Sequence, residues 1–337
     1  MKNGFGRFDF YLGPLEKLFG EASKEENAAL WLYNNNARTT LFMLEGLAKL
    51  YGGLHDKKIF SKIEAQFKSL ENALGAVDYY DSFAREFAAN KKIPAAVADY
   101  VKAQARENIR RLNDLLSNEK WIGERANRTR KIRKKLGGAD WLKEKAEVKA
   151  IAGFYKKQIK KIEAFDRAFA GGFTEIETQV HALRRKLRWL SIYPQALRGC
   201  IRLDESGEPT EDEKKYLTPE IINSPFNKLP DAGKNKYLLM LDKNRFFAVS
   251  WLIAELGKLK DDGLRVLLII EALQKTKNMS RDEAEIQTYS LLGRNSPNLT
   301  EILSKASLIC DEFFAKLNLD KLLNGIAKQR QLNGLSE

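Results

Sequence analysis

The spacing of proline constrains this chain more than any other feature. Its eight prolines leave residues 15–93, 95–193 and 231–296 free of them, while Pro209, Pro219, Pro225 and Pro230 share one short stretch. A helix interior tolerates proline poorly, because the ring removes a backbone donor and clashes with the preceding turn. Valine is scarce, whereas Leu, Ala, Lys and Glu abound, and those residues favour helix over strand. The expected fold is all-α. Helix starts fall near Lys24, Lys57, Asp78, Pro94, Ala139, Thr174, Lys236, Asp261, Ser280 and Asn298. Ser280 with Glu283 has the spacing of a capping box. The acidic, proline-rich stretch from Leu203 to Asn235 reads as a long loop excursion.

The chain looks duplicated. Leu70, Leu74, Gly75 and Val77 match Leu252, Leu256, Gly257 and Leu259 at a separation of 182 positions. The segment from Leu32 matches the one from Gln179 at a separation of 147. The separations differ by 35 residues, close to the length of the excursion. The expected organisation is an N-terminal arm (1–24), a first bundle (25–171) and a second bundle (172–330) carrying the insertion 203–235. Each bundle would hold about four long helices, with a basic cleft between them.

Charge narrows the partner. Lys and Arg number 58 against 45 Asp and Glu, a net charge of +13, which favours a polyanion. Two cysteines, Cys200 and Cys310, are too few for a disulfide framework and suggest a reducing compartment. No apolar run approaches the roughly 20 residues of a membrane span, and no secretory signal is read at the N-terminus.

One helix concentrates the charge. In the run Val180 to Leu190, Val180, Leu183, Leu187 and Leu190 form an apolar stripe. His181, Arg184, Arg185 and Arg188 form a second stripe at i, i+3, i+4 and i+7, so their heads can converge. Arginine suits phosphate because its planar fork donates two parallel hydrogen bonds. No carboxylate falls within Thr178–Arg202 to neutralise these side chains. A solvated face beside a core stripe would show the same pattern.

These residues resemble the CHAD family, the conserved-histidine α-helical domain. Its members carry an H-x-x-R helix start, here His181 to Arg184, and a helix pair joined by an L-G-x-x-x-D turn, here Leu256 to Asp261. The first copy departs from the pattern: Asn34 replaces the histidine, Arg38 sits one residue late, and Tyr79 replaces the aspartate. The resemblance implies two pseudo-symmetric four-helix bundles and a basic central channel that binds inorganic polyphosphate without catalysis. It also implies a cytoplasmic location associated with polyphosphate granules.

Further candidates for that channel are Arg38, Lys258, Lys260, Arg265, Arg110, Lys156 and Lys160. No catalytic or metal-ligating set is read, because the two histidines and two cysteines lack ligand spacing and no phosphate-binding glycine loop is present. No cofactor is expected. Two other readings stay open. One is nonspecific nucleic-acid binding, since a basic helical protein attracts any phosphodiester chain. The other is an enzyme acting on phosphate chains.

Overall fold

The computed structural model describes residues 3–293 and 295–329; Arg330, the last residue of the second expected unit, lies outside them. Helix accounts for 72% of the chain, in keeping with its long proline-free stretches. The first half runs α1 (Asn3–Ala22), α2 (Ala28–Asn34), α3 (Ala37–Gly52), α4 (Lys57–Ala89), α5 (Ala95–Asn118), α6 (Arg128–Gly137) and α7 (Glu144–Arg167). A π-helical turn, Ile176–His181, then leads into α8 (Ala182–Ala196). Strand β1 (Ile201–Asp204), α9 (Glu211–Lys214), α10 (Pro219–Ile222) and strand β2 (Tyr237–Asp242) follow. The chain continues through α11 (Lys243–Lys277), α12 (Arg281–Leu292), α13 (Leu299–Lys316) and strand β3 (Leu323–Lys328).

Several boundaries obey local chemistry. The Asp56 carboxylate accepts from the Lys58 and Ile59 amides and starts α4. Ser280 and Glu283 form the anticipated capping box of α12, and Asn298 with Glu301 repeats the device at α13.

Other expectations need correction. No helix starts at Asp78 or Asp261: α4 and α11 run unbroken for 33 and 35 residues, about 50 Å each at 1.5 Å per residue. Gly75 and Gly257 therefore lie inside helices rather than at turns. The expected arm is helix α1, and its Phe8, Leu12 and Leu15 are fully buried. These residues and Phe19 recur at i, i+4, i+7 and i+11, one face of a helix. The expected helix start at Lys236 leads instead into β2, which pairs parallel with β1 and antiparallel with β3. Leu238, Leu239, Met240 and Leu241 are all buried, and such an unbroken apolar run looks the same as strand or helix. The 203–235 excursion carries two short α-helices and a 3-10 turn (Pro225–Asn227) rather than loop alone.

The main core draws on both halves, from Phe8 through Leu187 and Phe246 to Leu322. A second cluster joins the end of α4 (Phe83, Phe87), the start of α5 (Val97, Val101), the later part of α11 (Val266, Ile269, Leu273) and α12 (Ala284). One buried polar knot ties α1, α3 and α7. Arg7 Nη1 donates to the Tyr51 hydroxyl at 2.6 Å and to Glu147 Oε2 at 2.8 Å, and Tyr51 donates to Glu147 Oε1 at 2.8 Å. Burial pushes the Tyr51 hydroxyl well above its ordinary pKa, so it remains a donor.

Candidate functional site

Helices α3, α4, α8 and α11 and the π-helical turn enclose a cleft of roughly 920 Å³. On α4, Glu71, Gly75, Asp78, Ser82 and Glu86 recur at i, i+4, i+7, i+11 and i+15, so they share one helix face. The opposite wall carries His181, Arg184, Arg185 and Arg188, while α11 adds Lys260, Asp261, Arg265 and Glu271. Arg38 enters from α3. π-Helical turns are rare and recur at functional sites. This one seats Ile176 against α11, where a Cβ on Gly263 would come within 2.6 Å of the Ile176 side chain.

The two in-helix glycines make room for arginine. A Cβ on Gly257 would sit 3.0 Å from Arg184 Nε, and one on Gly75 would sit 2.6 Å from Arg38 Nη2. Arg184 lies across α11 and donates Nε to the Ile253 carbonyl at 3.0 Å. Gly257→Ala crowds an anchored nitrogen rather than a loose side-chain end. We expect it to leave the fold intact and tilt the guanidinium, so that an anion held by Arg184 would bind roughly tenfold more weakly, about 1.4 kcal/mol. Titration of the variant against wild type, with circular dichroism as the folding control, checks this.

The cleft is not uniformly basic, and here the expected basic channel is corrected. Arg38 pairs with Glu71 and Asp78, each at 2.8 Å. Arg265 pairs with Glu86 at 2.5 Å and Asp262 at 2.7 Å, and Lys260 pairs with Asp261. His181 Nδ1 lies 2.9 Å from Glu177 Oε2. A carboxylate only accepts, so Nδ1 holds the proton in that contact, and Nε2 donates only when the ring is protonated. This hydrogen bond is the main reason the Glu177 carboxyl lies below its ordinary pKa. The window Thr178–Arg202 is free of carboxylates, but α4 and α11 supply them across the cleft.

Arg184, Arg185 and Arg188 stand apart. Among the described residues, none of the three lies within salt-bridge distance of a carboxylate. Arg188 lies 4.2 Å above the Phe42 ring, and Arg38 lies 5.2 Å from the same ring. Burial, with Arg184 adding to it, holds the Arg188 guanidinium down at about 10. Burial also lowers Arg184; Asp261 opposes the shift and Arg38 adds to it.

Four predicted residues lie elsewhere. Lys258 is 72% exposed and pairs with Glu255 at 2.6 Å, because it points away from the cleft side of α11. Arg110 pairs with Glu107 and Asp114 along the exposed face of α5. Its hydrogen bonds and those of Arg111 bring Glu107 down to about 2. Lys156 and Lys160 line a separate shallow depression on α7 with Lys157 and Lys161. Glu71, Asp78, Glu86 and Tyr79 line the cleft without having been candidate site residues, although the polar stripe on α4 marks the first three.

Beside the cleft, Glu45 on α3 is buried and its Oε2 has no hydrogen-bond partner. Burial first, then Glu71, raises its pKa to about 7, while Lys49 and Lys68 oppose the shift. The folded protein thus holds this proton more tightly than the unfolded chain does. The carboxyl favours folding below its ordinary pKa, and that contribution fades as pH rises to about 7. Between pH 5.5 and 8, wild type should lose about 2 kcal/mol that Glu45→Gln does not, measured by urea unfolding.

No protein-family model, curated protein or solved structure matches the chain.

Proposed function

We propose that the protein is a non-catalytic receptor for phosphate chains, inorganic polyphosphate first among them, held on the Arg184–Arg185–Arg188 wall of the cleft. One observation carries this reading. Among the described residues these three arginines form no ion pair with a carboxylate, while Arg38 and Arg265 each pair with two and Lys260 and His181 with one each. Arg184 and Arg188 are half-buried and Arg185 is exposed; a half-buried cation without a counter-ion is costly, and a bound phosphate would offset that cost through paired, charge-assisted hydrogen bonds.

A duplicated origin accounts for the asymmetry. Arg38 over Gly75 and Arg184 over Gly257 are the same arrangement, at offsets of 146 (184 − 38) and 182 (257 − 75). The first offset is one position from the 147 used in the sequence comparison. At the offset of 182, Glu71 and Asp78 correspond to Ile253 and Lys260. At the equivalent positions Arg184 thus has neither carboxylate that pairs with Arg38; among the described residues it donates to the Ile253 carbonyl and feels the charge of Asp261 without forming an ion pair. At the offset of 146, Phe42 corresponds to Arg188, which adds a cation to the second half alone. This pattern agrees with the CHAD resemblance and with a first copy that has given up binding.

Titration with polyphosphate at increasing salt tests the reading. Three neutralised phosphates give a log–log salt slope of about −2 to −3. Asp78→Asn, which removes a carboxylate facing the site, should tighten binding roughly fivefold, a Coulomb effect of about 1 kcal/mol. An unchanged or weaker affinity in Asp78→Asn contradicts the proposed site.

Nonspecific nucleic-acid binding has an observation of its own. Among the described residues, Lys156, Lys157, Lys160 and Lys161 make no ion pair and line one depression on α7. Equal affinity for duplex DNA and polyphosphate at matched charge would favour this second reading.

A further inference from the structure

The cleft changes chemistry along its length. Its α4 wall runs from Glu71 to Glu86, fifteen residues or about 22 Å. Arg188 and Arg184 stand toward the Glu71 end, where Arg38 pairs with Glu71, Arg188 feels the Glu71 charge and both feel that of Arg38. The far end is built from Tyr79, Phe83, Leu264 and Leu267, with Glu86 and Glu271 beside them. Phe83 also belongs to the second core cluster, so the far end rests on packed apolar side chains.

A phosphate chain running the whole way would set its oxygens against Glu86 and Glu271. The far end instead suits an uncharged flat ring that donates hydrogen bonds. Glu86 accepts from Arg265 through Oε1, and Glu271 accepts from Tyr100 through Oε1. Among the described residues, neither Oε2 has a hydrogen-bond donor. The half-buried Tyr79 ring borders the cleft, set nearly perpendicular to Tyr80 and Phe83. The volume, roughly 920 Å³, lies in the range of small-molecule sites and exceeds what a few phosphates would fill.

We propose that the cleft takes a nucleoside triphosphate with an amino-bearing base. Its phosphates lie on Arg184, Arg185 and Arg188, its base stacks on Tyr79, and its exocyclic amine donates to Glu86 or Glu271. This rests on the phosphate-chain reading above and narrows the ligand class of the same cleft.

Isothermal titration with ATP, CTP, UTP and inorganic tripolyphosphate separates the two. Stacking on an aromatic side chain makes ATP roughly tenfold tighter than tripolyphosphate. CTP, which differs from UTP at the ring position bearing its amine, binds more tightly than UTP. Tyr79→Leu lowers ATP to the tripolyphosphate level and leaves tripolyphosphate unchanged. Replacing the three arginines removes both ligands. Tripolyphosphate binding as tightly as ATP to the wild type, or CTP and UTP binding equally, overturns the nucleotide assignment and leaves the phosphate-chain reading standing. Failure of all four ligands overturns both.

Discussion

Replacing Arg184, Arg185 and Arg188 together with glutamine should weaken polyphosphate binding by at least about 100-fold. Each charge-assisted hydrogen bond contributes roughly 1.5–3 kcal/mol, and a factor of ten corresponds to about 1.4 kcal/mol. A flexible polyanion can shift to a neighbouring cation when one is lost, so single replacements should cost far less than a third of the total. The control is Lys156, Lys157 and Lys160 replaced by glutamine. It removes the same charge from lysines that line a different depression. If cleft geometry governs binding, the control changes affinity only by the small long-range share that salt screens. If both triple variants lose the same affinity while folded, net charge alone accounts for binding. Glutamine is chosen because Arg188 packs on Phe42, so truncation to alanine would also remove packing.

The second large effect concerns stability. Glu147 is fully buried, and its two oxygens are held by Arg7 and Tyr51. Replacing Glu147 with leucine leaves the Arg7 guanidinium buried and unpaired, and removing one partner of a buried ion pair costs about 3–5 kcal/mol. The double variant Arg7→Met, Glu147→Leu should recover most of that loss, because it removes both charges and keeps apolar volume. Chemical denaturation of the two variants checks the pair. A single variant as stable as wild type would mean that the knot does not hold α1 against α3 and α7. Binding measured on the folded fraction should be unchanged, since none of the three residues lines the cleft.

The arginine wall was legible because its information is local. Residues at i, i+3, i+4 and i+7 share a face of any helix, so His181, Arg184, Arg185 and Arg188 could be grouped before the fold was known. The carboxylates across the cleft could not, because Glu71, Asp78 and Glu86, which pair with Arg38 and Arg265, come from α4, which lies far away in sequence. The two Leu-Gly motifs were legible as equivalents but not as structure. A glycine within a helical pattern marks either a break or a close approach, and only the arginines lying across Gly75 and Gly257 decide between them. Helix α1 was obscured by Pro14 and by a buried arginine at position 7, which breaks its apolar periodicity. Strand β2 was obscured because Leu238–Leu241 has no alternation to read.

The position of a bound phosphate chain tests the cleft most directly. A crystal structure of the protein grown with tripolyphosphate should show phosphate oxygens within hydrogen-bonding distance of Arg184, Arg185 and Arg188, between α4 and α11. The Arg38 pairs with Glu71 and Asp78 should remain as they are. Tripolyphosphate bound on the α7 lysines with the arginine wall empty would contradict the account.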